Sequence, residues 1–213
     1  MSLQLGTIAP NFEALTTMGT FDFHDWKDNQ WAIFFSHPAD YTPVCTTELG
    51  MASKMAEKFA RKNCKFIALS VDGLESHKGW INDIESTQNT KMNLPIVADE
   101  GAKVANLYGM IHPKADDKLT VRSVFFIDPT HKIRATLTYP PATGRNFDEL
   151  YRVLEALQLT DQKSVATPAN WKSGDDVVIV PSLKDEALLK AKFPKGFEVL
   201  TPYLRITPQP DLD

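Results

Sequence analysis

The sequence has few cysteines, no excess of positive charge and no long apolar run. Two cysteines in 213 residues exclude the disulfide framework on which small secreted domains depend. The longest apolar runs have the length of a strand, so we predict no membrane span. A net charge of −4 gives no electrostatic basis for binding nucleic acid.

Targeting and cofactor motifs are also missing. The stretch from Met1 to Gly6 has neither a basic n-region nor an apolar h-region, so we expect no secretory signal and a reducing, cytoplasmic location. No phosphate loop or dinucleotide fingerprint is present. The cysteines and histidines lack the close-paired spacing of zinc ligands. We therefore expect neither a metal nor an organic cofactor.

The composition that is present is ordinary for a globular protein, with 43% hydrophobic and 23% charged residues. This length suits one moderate domain plus an appendage. Six of the 14 prolines lie beyond residue 160, where the chain turns into short elements. We therefore predict one domain over 1–160 and a second over 161–213.

Apolar periodicity predicts strands that alternate with helices, followed by a hairpin and a helix, which indicates a layered α/β fold. A short hairpin is predicted within 3–35, ahead of a central strand at 31–35. The other predicted strands are 65–71, 94–97, 121–128, 133–139 and 177–180. One predicted helix begins after Thr42, and the others cover 75–85, 102–108, 146–157 and 185–192.

The segment from His37 to Glu48 lies between the central strand and a helical pattern. Thr42 suits the N-cap of that helix, and Pro43 suits its first position because a missing N–H costs nothing there. Cys45 then lies in the first helical turn, where unpaired backbone N–H groups favour the thiolate over the thiol.

The helix end is too weak to ionise a thiol alone. A free cysteine has a pKa of about 8.5, and lowering a pKa by two units takes roughly 2.7 kcal/mol. A helix end contributes about 0.3 to 1 kcal/mol. A cation at about 4 Å contributes up to ~4 kcal/mol at an effective dielectric near 20. The chemistry therefore needs an arginine or a lysine from elsewhere in the chain.

Pro38, Thr42 and Cys45 match the Pro-x-x-x-Thr/Ser-x-x-Cys signature, and the sequence here resembles the peroxiredoxins of the one-cysteine type. Further matches follow in family order at Arg122, 144–149 and 165–171. The resemblance implies a thioredoxin-like fold with peroxiredoxin insertions. It also implies a small C-terminal α+β arm domain that helps to form a homodimer.

The same resemblance implies a function. The implied function is that of a thiol-dependent peroxidase, which reduces hydrogen peroxide and organic hydroperoxides in antioxidant defence. Cys45 would attack the peroxide and become a sulfenic acid, which an external thiol such as glutathione or a thioredoxin-like protein would reduce. Thr42 would bind the sulfur and the peroxide through its hydroxyl, and Pro38 would shape and shield the pocket.

Arg122 would be the required cation by the same resemblance, although the sequence alone allows an exposed charge at a strand end. Lys114, Lys118 and Lys132 lack comparable support. Glu48 is expected to hold the guanidinium groups of Arg122 and Arg145 through charge-assisted hydrogen bonds. An ordinary first-turn carboxylate and a surface arginine are the alternative interpretations.

His37 is expected either to contact the site or a reductant, or to be a satisfied histidine at the strand end. Cys64 matches no resolving cysteine of two-cysteine relatives and is expected to be a bystander. An alternative function remains open: a redox sensor or chaperone that hyperoxidation of Cys45 switches.

Some members of the resembling family also hydrolyse phospholipids with a serine, a histidine and an aspartate. Here His24 is present, but Gln30 stands at the serine position and Thr130 at the aspartate position. An amide is not an acyl nucleophile, and no Gly-x-Ser-x-Gly elbow is present. We therefore expect no lipase activity by that route.

Overall fold

The computed structural model describes residues 3–211. The chain divides into two compact units, of which the first ends at Phe147 and the second begins at Asp148. The sequence placed a boundary at 160 because the proline content rises there, whereas the contacts assign nearly all of the helix before that point to the second unit. The domain limits 1–160 and 161–213 stay a prediction.

The first unit is built on a seven-stranded sheet. Its central strand, β3 (Trp31–Ser36), runs parallel to its neighbour β4 and antiparallel to β6. All six residues of β3 are buried, as the unbroken apolar run predicts for a strand covered on both faces. The sheet order is β2 (Gly19–Asp22), β1 (Glu13–Thr16), β5 (Ile96–Ala98), β4 (Cys64–Ser70), β3, β6 (Arg122–Ile127), β7 (Ile133–Tyr139).

Four helices belong to this unit: α1 (Phe23–Lys27), α2 (Pro43–Ala60), α3 (Leu74–Gln88) and α4 (Lys103–Leu107). The predicted alternation of strands and helices is confirmed. The single turn α1 was not predicted, because five residues are too few for a periodic pattern. Its N-cap, Asp22, accepts a hydrogen bond from the backbone N–H of Asp25 at 3.2 Å.

Aromatic side chains cover β3 from both sides. Phe34 packs against Tyr108 with ring centroids 4.8 Å apart. Its neighbour Phe35 points to the opposite face and lies 5.9 Å from Phe66 and 6.2 Å from Phe147. Because successive residues of a strand alternate faces, aromatic rings cover both faces of β3, the strand that leads into the segment around Cys45.

The second unit contains helices, a small sheet and a separate apolar core. The sheet order is β10 (Glu198–Thr201), β11 (Leu204–Thr207), β9 (Val177–Ile179), β8 (Val165–Ala166). The helices are α5 (Phe147–Gln162), whose first residue belongs to the first unit, and α6 (Glu186–Lys192). Trp171 and Phe193 lie in its core. The predicted strand and helix at β9 and α6 are confirmed, whereas the hairpin β10–β11 was not predicted.

Within the described residues, no helix has the length and apolarity needed to cross a membrane.

Candidate active site

Cys45 lies in the first turn of α2 and is fully buried, with 0% of its surface exposed. Thr42 is the N-cap residue in an extended conformation, and Pro43 is the first helical residue, as predicted. The Thr42 hydroxyl does not cap the helix, however. It donates to the carbonyl of Ala39 at 2.8 Å, which leaves the hydroxyl oxygen as an acceptor beside the helix end.

Arg122, the first residue of β6, supplies the cation at the sulfur. Its Nη1 lies 3.4 Å from Sγ of Cys45 and 2.6 Å from Oε2 of Glu48. Its Nε and Nη2 donate to the carbonyl of Pro141 at 2.9 and 2.7 Å. The guanidinium is therefore fixed on both sides and is 2% exposed. The structure brings together the two residues that the sequence argument required.

Glu48 lies one turn after Cys45 on the same face of α2 and joins two arginines. Its Oε1 accepts from the backbone N–H and from Nε of Arg145, at 2.7 and 2.8 Å. Its Oε2 accepts from Nη2 of Arg145 and from Nη1 of Arg122, both at 2.6 Å. Burial raises the pKa of Glu48, but the hydrogen bonds and charge of Arg145 outweigh burial and lower that pKa overall.

Arg145 is held from the sheet side as well. Its Nη1 donates to the carbonyls of Ser36 and Ser123 at 2.8 and 3.2 Å, and its Cζ lies 4.8 Å from the ring centroid of Phe35. The guanidinium thus connects the ends of β3 and β6 to α2. Arg145 thus contacts Glu48 in the structure, as the sequence predicted.

The charges of this cluster favour the thiolate. Arg122 and Arg145 carry two positive charges, and Glu48 carries one negative charge. With a neutral thiol the cluster would hold one uncompensated positive charge in a buried position, which is costly. With Cys45 as the thiolate the four groups sum to zero. The helix end and the guanidinium therefore act on the sulfur in the same direction.

His37 and Pro38 are both buried, but the His37 ring is not hydrogen-bonded to the sulfur. Its Nε2 faces Oδ1 of Asp40 at 3.0 Å, and no partner lies at its Nδ1 within the described residues. Burial lowers the pKa of His37, although the Asp40 contact opposes the shift.

Sequence analysis missed Asp40, which organises the polar side chains behind this segment. Its Oδ2 accepts from Ser76 at 2.8 Å and faces Nδ1 of His77 at 2.7 Å. Burial raises the pKa of Asp40, but the hydrogen bonds from His37 and His77 outweigh burial and lower that pKa overall. Its position between His37 and Cys45, inside the segment that carries the signature, was the signal that could have found it.

In the described part of the chain, one group of side chains has the spacing to hold a metal ion: His37, Asp40 and Asp72. Its two carboxylates already bind protein partners, whereas Nδ1 of His37 has none in the described residues. Asp72 accepts from the backbone N–H of Asp40 at 2.9 Å and from the hydroxyl of Ser70 at 2.8 Å. The two carboxylates of the cluster are thus engaged in a hydrogen-bond network.

The second cysteine has a different environment. Cys64 is 2% exposed, and its Sγ contacts the carbonyl of Lys65 at 3.7 Å. Burial raises the pKa of the Cys64 thiol far above its ordinary value. A thiol that stays protonated is a poor nucleophile.

The residues at the lipase positions are engaged in local structure. Nε2 of His24 bonds the carbonyl of Ala9 at 2.8 Å, and the Thr130 hydroxyl donates to Asp128 at 2.8 Å. Buried Lys27 donates to the carbonyls of Gln30 and Asp128, both at 2.8 Å. Burial lowers the pKa of Lys27 to about 8. The Lys27 amine thus lies between the carbonyls of Gln30 and Asp128.

Comparison with known proteins gives two family matches. Residues 5–136 match the AhpC/TSA family, and residues 156–196 match the C-terminal domain of 1-Cys peroxiredoxin. The 1-Cys peroxiredoxin of Dictyostelium discoideum is 51% identical over 98% of this chain and 86% of its own. The chain is a one-cysteine peroxiredoxin.

Solved structures agree with this assignment. Peroxiredoxin 6 of Arenicola marina is 43% identical and superposes with a TM-score of 0.93, covering 99% of this peroxiredoxin and 100% of its own chain. A yeast mitochondrial 1-Cys peroxiredoxin is 44% identical, with a TM-score of 0.88 and coverage of 97% and 99%. The expected thioredoxin-like fold with a small C-terminal arm is confirmed, as is thiol-dependent peroxidase activity in antioxidant defence.

Substitution of Arg122 by methionine tests the cation. Arg122→Met removes a charge-assisted hydrogen bond of about 1.5 to 3 kcal/mol, so we expect the peroxide rate constant to fall roughly 10- to 100-fold. The rate of Cys45 alkylation by iodoacetamide near pH 7 should fall with it. Arg134→Met is the matched control, since Arg134 pairs with Asp128 at 3.3 Å. Equal rates in wild type and Arg122→Met would refute the assigned role.

Glu48→Gln tests the charge cluster. The folded pKa of Glu48 lies below its ordinary 4.5, so its stabilising contribution is present above pH 4.5 and is lost as the pH falls through the folded pKa. We expect the variant to lose about 3 to 5 kcal/mol of unfolding free energy at pH 7. In urea titrations the difference from wild type should shrink below pH 4.5. Glu75→Gln, which alters an exposed carboxylate, should show neither effect.

Proposed function

We propose that this peroxiredoxin reduces hydrogen peroxide and small organic hydroperoxides at Cys45 in a one-cysteine cycle. The observation that carries the proposal is the 3.4 Å contact between Nη1 of Arg122 and Sγ of Cys45. It joins a nucleophile at a helix end to a cation that is itself held by Glu48 and Pro141.

In the first half-reaction, the Cys45 thiolate donates an electron pair to the nearer peroxide oxygen and the O–O bond breaks. The sulfur becomes the sulfenic acid, and the departing oxygen takes a proton to leave as water or an alcohol. Arg122 stabilises the negative charge on the departing oxygen. Thr42 contributes its hydroxyl oxygen as an acceptor for the peroxide O–H, and Pro38 keeps bulk water from the sulfur.

In the second half-reaction, an external thiolate attacks the sulfenic sulfur and forms a mixed disulfide, while the oxygen takes a proton and leaves as water. A second thiolate attacks that disulfide and releases Cys45 as the thiolate. Two thiols and one organic hydroperoxide thus give one disulfide, one alcohol and one water, and hydrogen peroxide gives a second water in place of the alcohol. The yeast mitochondrial relative is resolved through glutathione/thioredoxin systems, which supports a reductant of that class here.

Substitution of each cysteine tests the one-cysteine cycle. Cys45→Ser should abolish peroxide consumption, because a serine hydroxyl is not ionised at neutral pH. Cys64→Ser should retain turnover with dithiothreitol, since buried Cys64 stays protonated. Peroxide loss is followed in the steady state, and intact mass after one equivalent of peroxide should show one added oxygen on Cys45.

Two outcomes would contradict the proposal. Equal loss of turnover in both variants would make Cys64 a resolving cysteine. Consumption of one equivalent followed by a stall, with excess thiol present, would instead favour the sensor or chaperone that hyperoxidation switches.

We propose no cofactor, because the sulfur itself exchanges the electrons. A reducing compartment such as the cytoplasm suits an enzyme whose two cysteines are both free thiols. Nucleic acid is not a proposed partner, given the net charge of −4.

We propose that the chain acts as a homodimer. Strand β7 ends the seven-stranded sheet. Residues 6–9 hydrogen-bond at its start, where Gly6 and Thr7 pair with Ile133, and no strand in the described residues pairs with the rest of its outer edge. An open edge of this kind favours pairing with another chain. The second unit also exposes large apolar side chains, namely Leu188, Val199, Leu200 and Tyr203.

Sedimentation velocity tests the dimer. One chain has a mass of 23.9 kDa, so we expect a species of about twice that mass at micromolar concentration, a range in which specific interfaces are occupied. A single species at the mass of one chain would refute the dimer, and a larger ring would refute its stoichiometry.

A further inference from the structure

The burial of Cys45 sets opposite demands on the two half-reactions. With 0% of Cys45 exposed, a thiol reductant reaches Sγ only when the covering chain moves. The peroxide step instead needs Thr42, Cys45 and Arg122 held in place. The segment 37–42 runs from the end of β3 to the N-cap of α2 and leads directly into the helical turn that carries Cys45.

Asp40 ties the segment 37–42 to neighbouring elements. Its carboxylate contacts Ser76 and His77, which lie in the first turn of α3, at 2.8 and 2.7 Å. Its backbone N–H donates to Asp72, which follows β4, at 2.9 Å. The Asp40 side chain is 1% exposed. Asp40 thus joins the segment to α3 through its buried carboxylate and to the residue Asp72 through its backbone N–H.

Tyr41, the next residue, shows that the segment is strained where it is held. Its φ of 54° lies in the left-handed region, which a bulky residue rarely adopts without outside support. Its hydroxyl lies close to Gly79 of α3, where a Cβ would come within 2.5 Å of it. The segment therefore needs the contacts to α3 to keep this conformation.

A second contact joins the same helix to α2. Nε1 of Trp80 donates to the Thr46 hydroxyl at 3.2 Å, and the Thr46 hydroxyl donates to the carbonyl of Thr42 at 2.8 Å. The ring of Trp80 lies 5.3 Å from the ring of His37. Helix α3 thus supports both ends of the segment, and Asp40 is its link in the middle.

We propose that Asp40 is a positioning residue that latches the segment 37–42 onto α3, so that it speeds the peroxide step and limits access of bulky thiols to the sulfenic acid. This inference rests on the proposed one-cysteine cycle. A merely structural residue would change both half-reactions in the same direction, whereas a latch changes them in opposite directions.

Asp40→Asn tests the latch, because the amide keeps the shape and loses the charge. Stopped-flow measurement of the two half-reactions should show the peroxide rate constant falling about 10- to 100-fold. Reduction of the sulfenic acid by a thioredoxin-like protein dithiol should become about 3- to 10-fold faster, since opening then limits it less. The rate with 2-mercaptoethanol should rise less than the rate with the protein dithiol.

Asp99→Asn is the matched control. Asp99 is as buried as Asp40, at 7% exposure, and its carboxylate accepts from the backbone N–H groups of Val104 and Ala105 at 3.2 and 2.7 Å. This variant should lose stability in urea but keep the wild-type ratio of the two rate constants. Ser76→Ala removes one donor from Asp40 and should shift the ratio in the same direction as Asp40→Asn by a smaller factor.

The outcomes separate the latch from the cycle on which it rests. Slowing of both half-reactions in Asp40→Asn, or a ratio equal to that of Asp99→Asn, would overturn the latch. If Asp40→Asn does not fold, an unchanged ratio in Ser76→Ala overturns it. Failure of the wild type to gain one oxygen on Cys45 would refute the proposed function itself. Faster hydrogen exchange at 38–42 in Asp40→Asn, but not in Asp99→Asn, would support the latch.

Discussion

The active site depends on one buried carboxylate placed between two guanidinium groups. Glu48 binds Arg122 and Arg145 through both oxygens, and its single charge leaves the cluster one negative charge short of neutrality. The peroxide-reducing sulfur of Cys45 faces this excess of positive charge through Arg122, so attack as a thiolate brings the missing negative charge to the cluster.

This constraint explains why a large sheet stands behind so small a site. Arg122 begins β6, while Arg145 donates to the carbonyls of Ser36 on β3 and Ser123 on β6. A displacement of about 1 Å between such groups weakens hydrogen bonds and misplaces reacting atoms. Phe34 and Phe35 pack against aromatic rings on opposite faces of β3. This packing holds in place the strand to which Arg145 is bound.

Local sequence signals predicted the parts of the site that depend on local geometry. The run at β3, Thr42 at the N-cap and Pro43 at the first helical position all follow from backbone chemistry. Arg122 was found because an ionised sulfur needs a cation, and family likeness chose among the candidates. The carbonyl of Pro141 and the contact of Asp40 with His77 are long-range and leave no local pattern. The short α1 and the hairpin β10–β11 escaped because they carry too little periodicity.

The two cysteines show why burial alone does not identify a reactive thiol. Cys45 and Cys64 are 0% and 2% exposed, and burial raises the pKa of the Cys64 thiol. Cys64 has a carbonyl at 3.7 Å, an acceptor that favours the protonated thiol. Cys45 has a guanidinium at 3.4 Å and the open end of a helix. A guanidinium in direct contact with the sulfur and the end of a helix, and not the depth of the sulfur, distinguish the cysteine that attacks a peroxide.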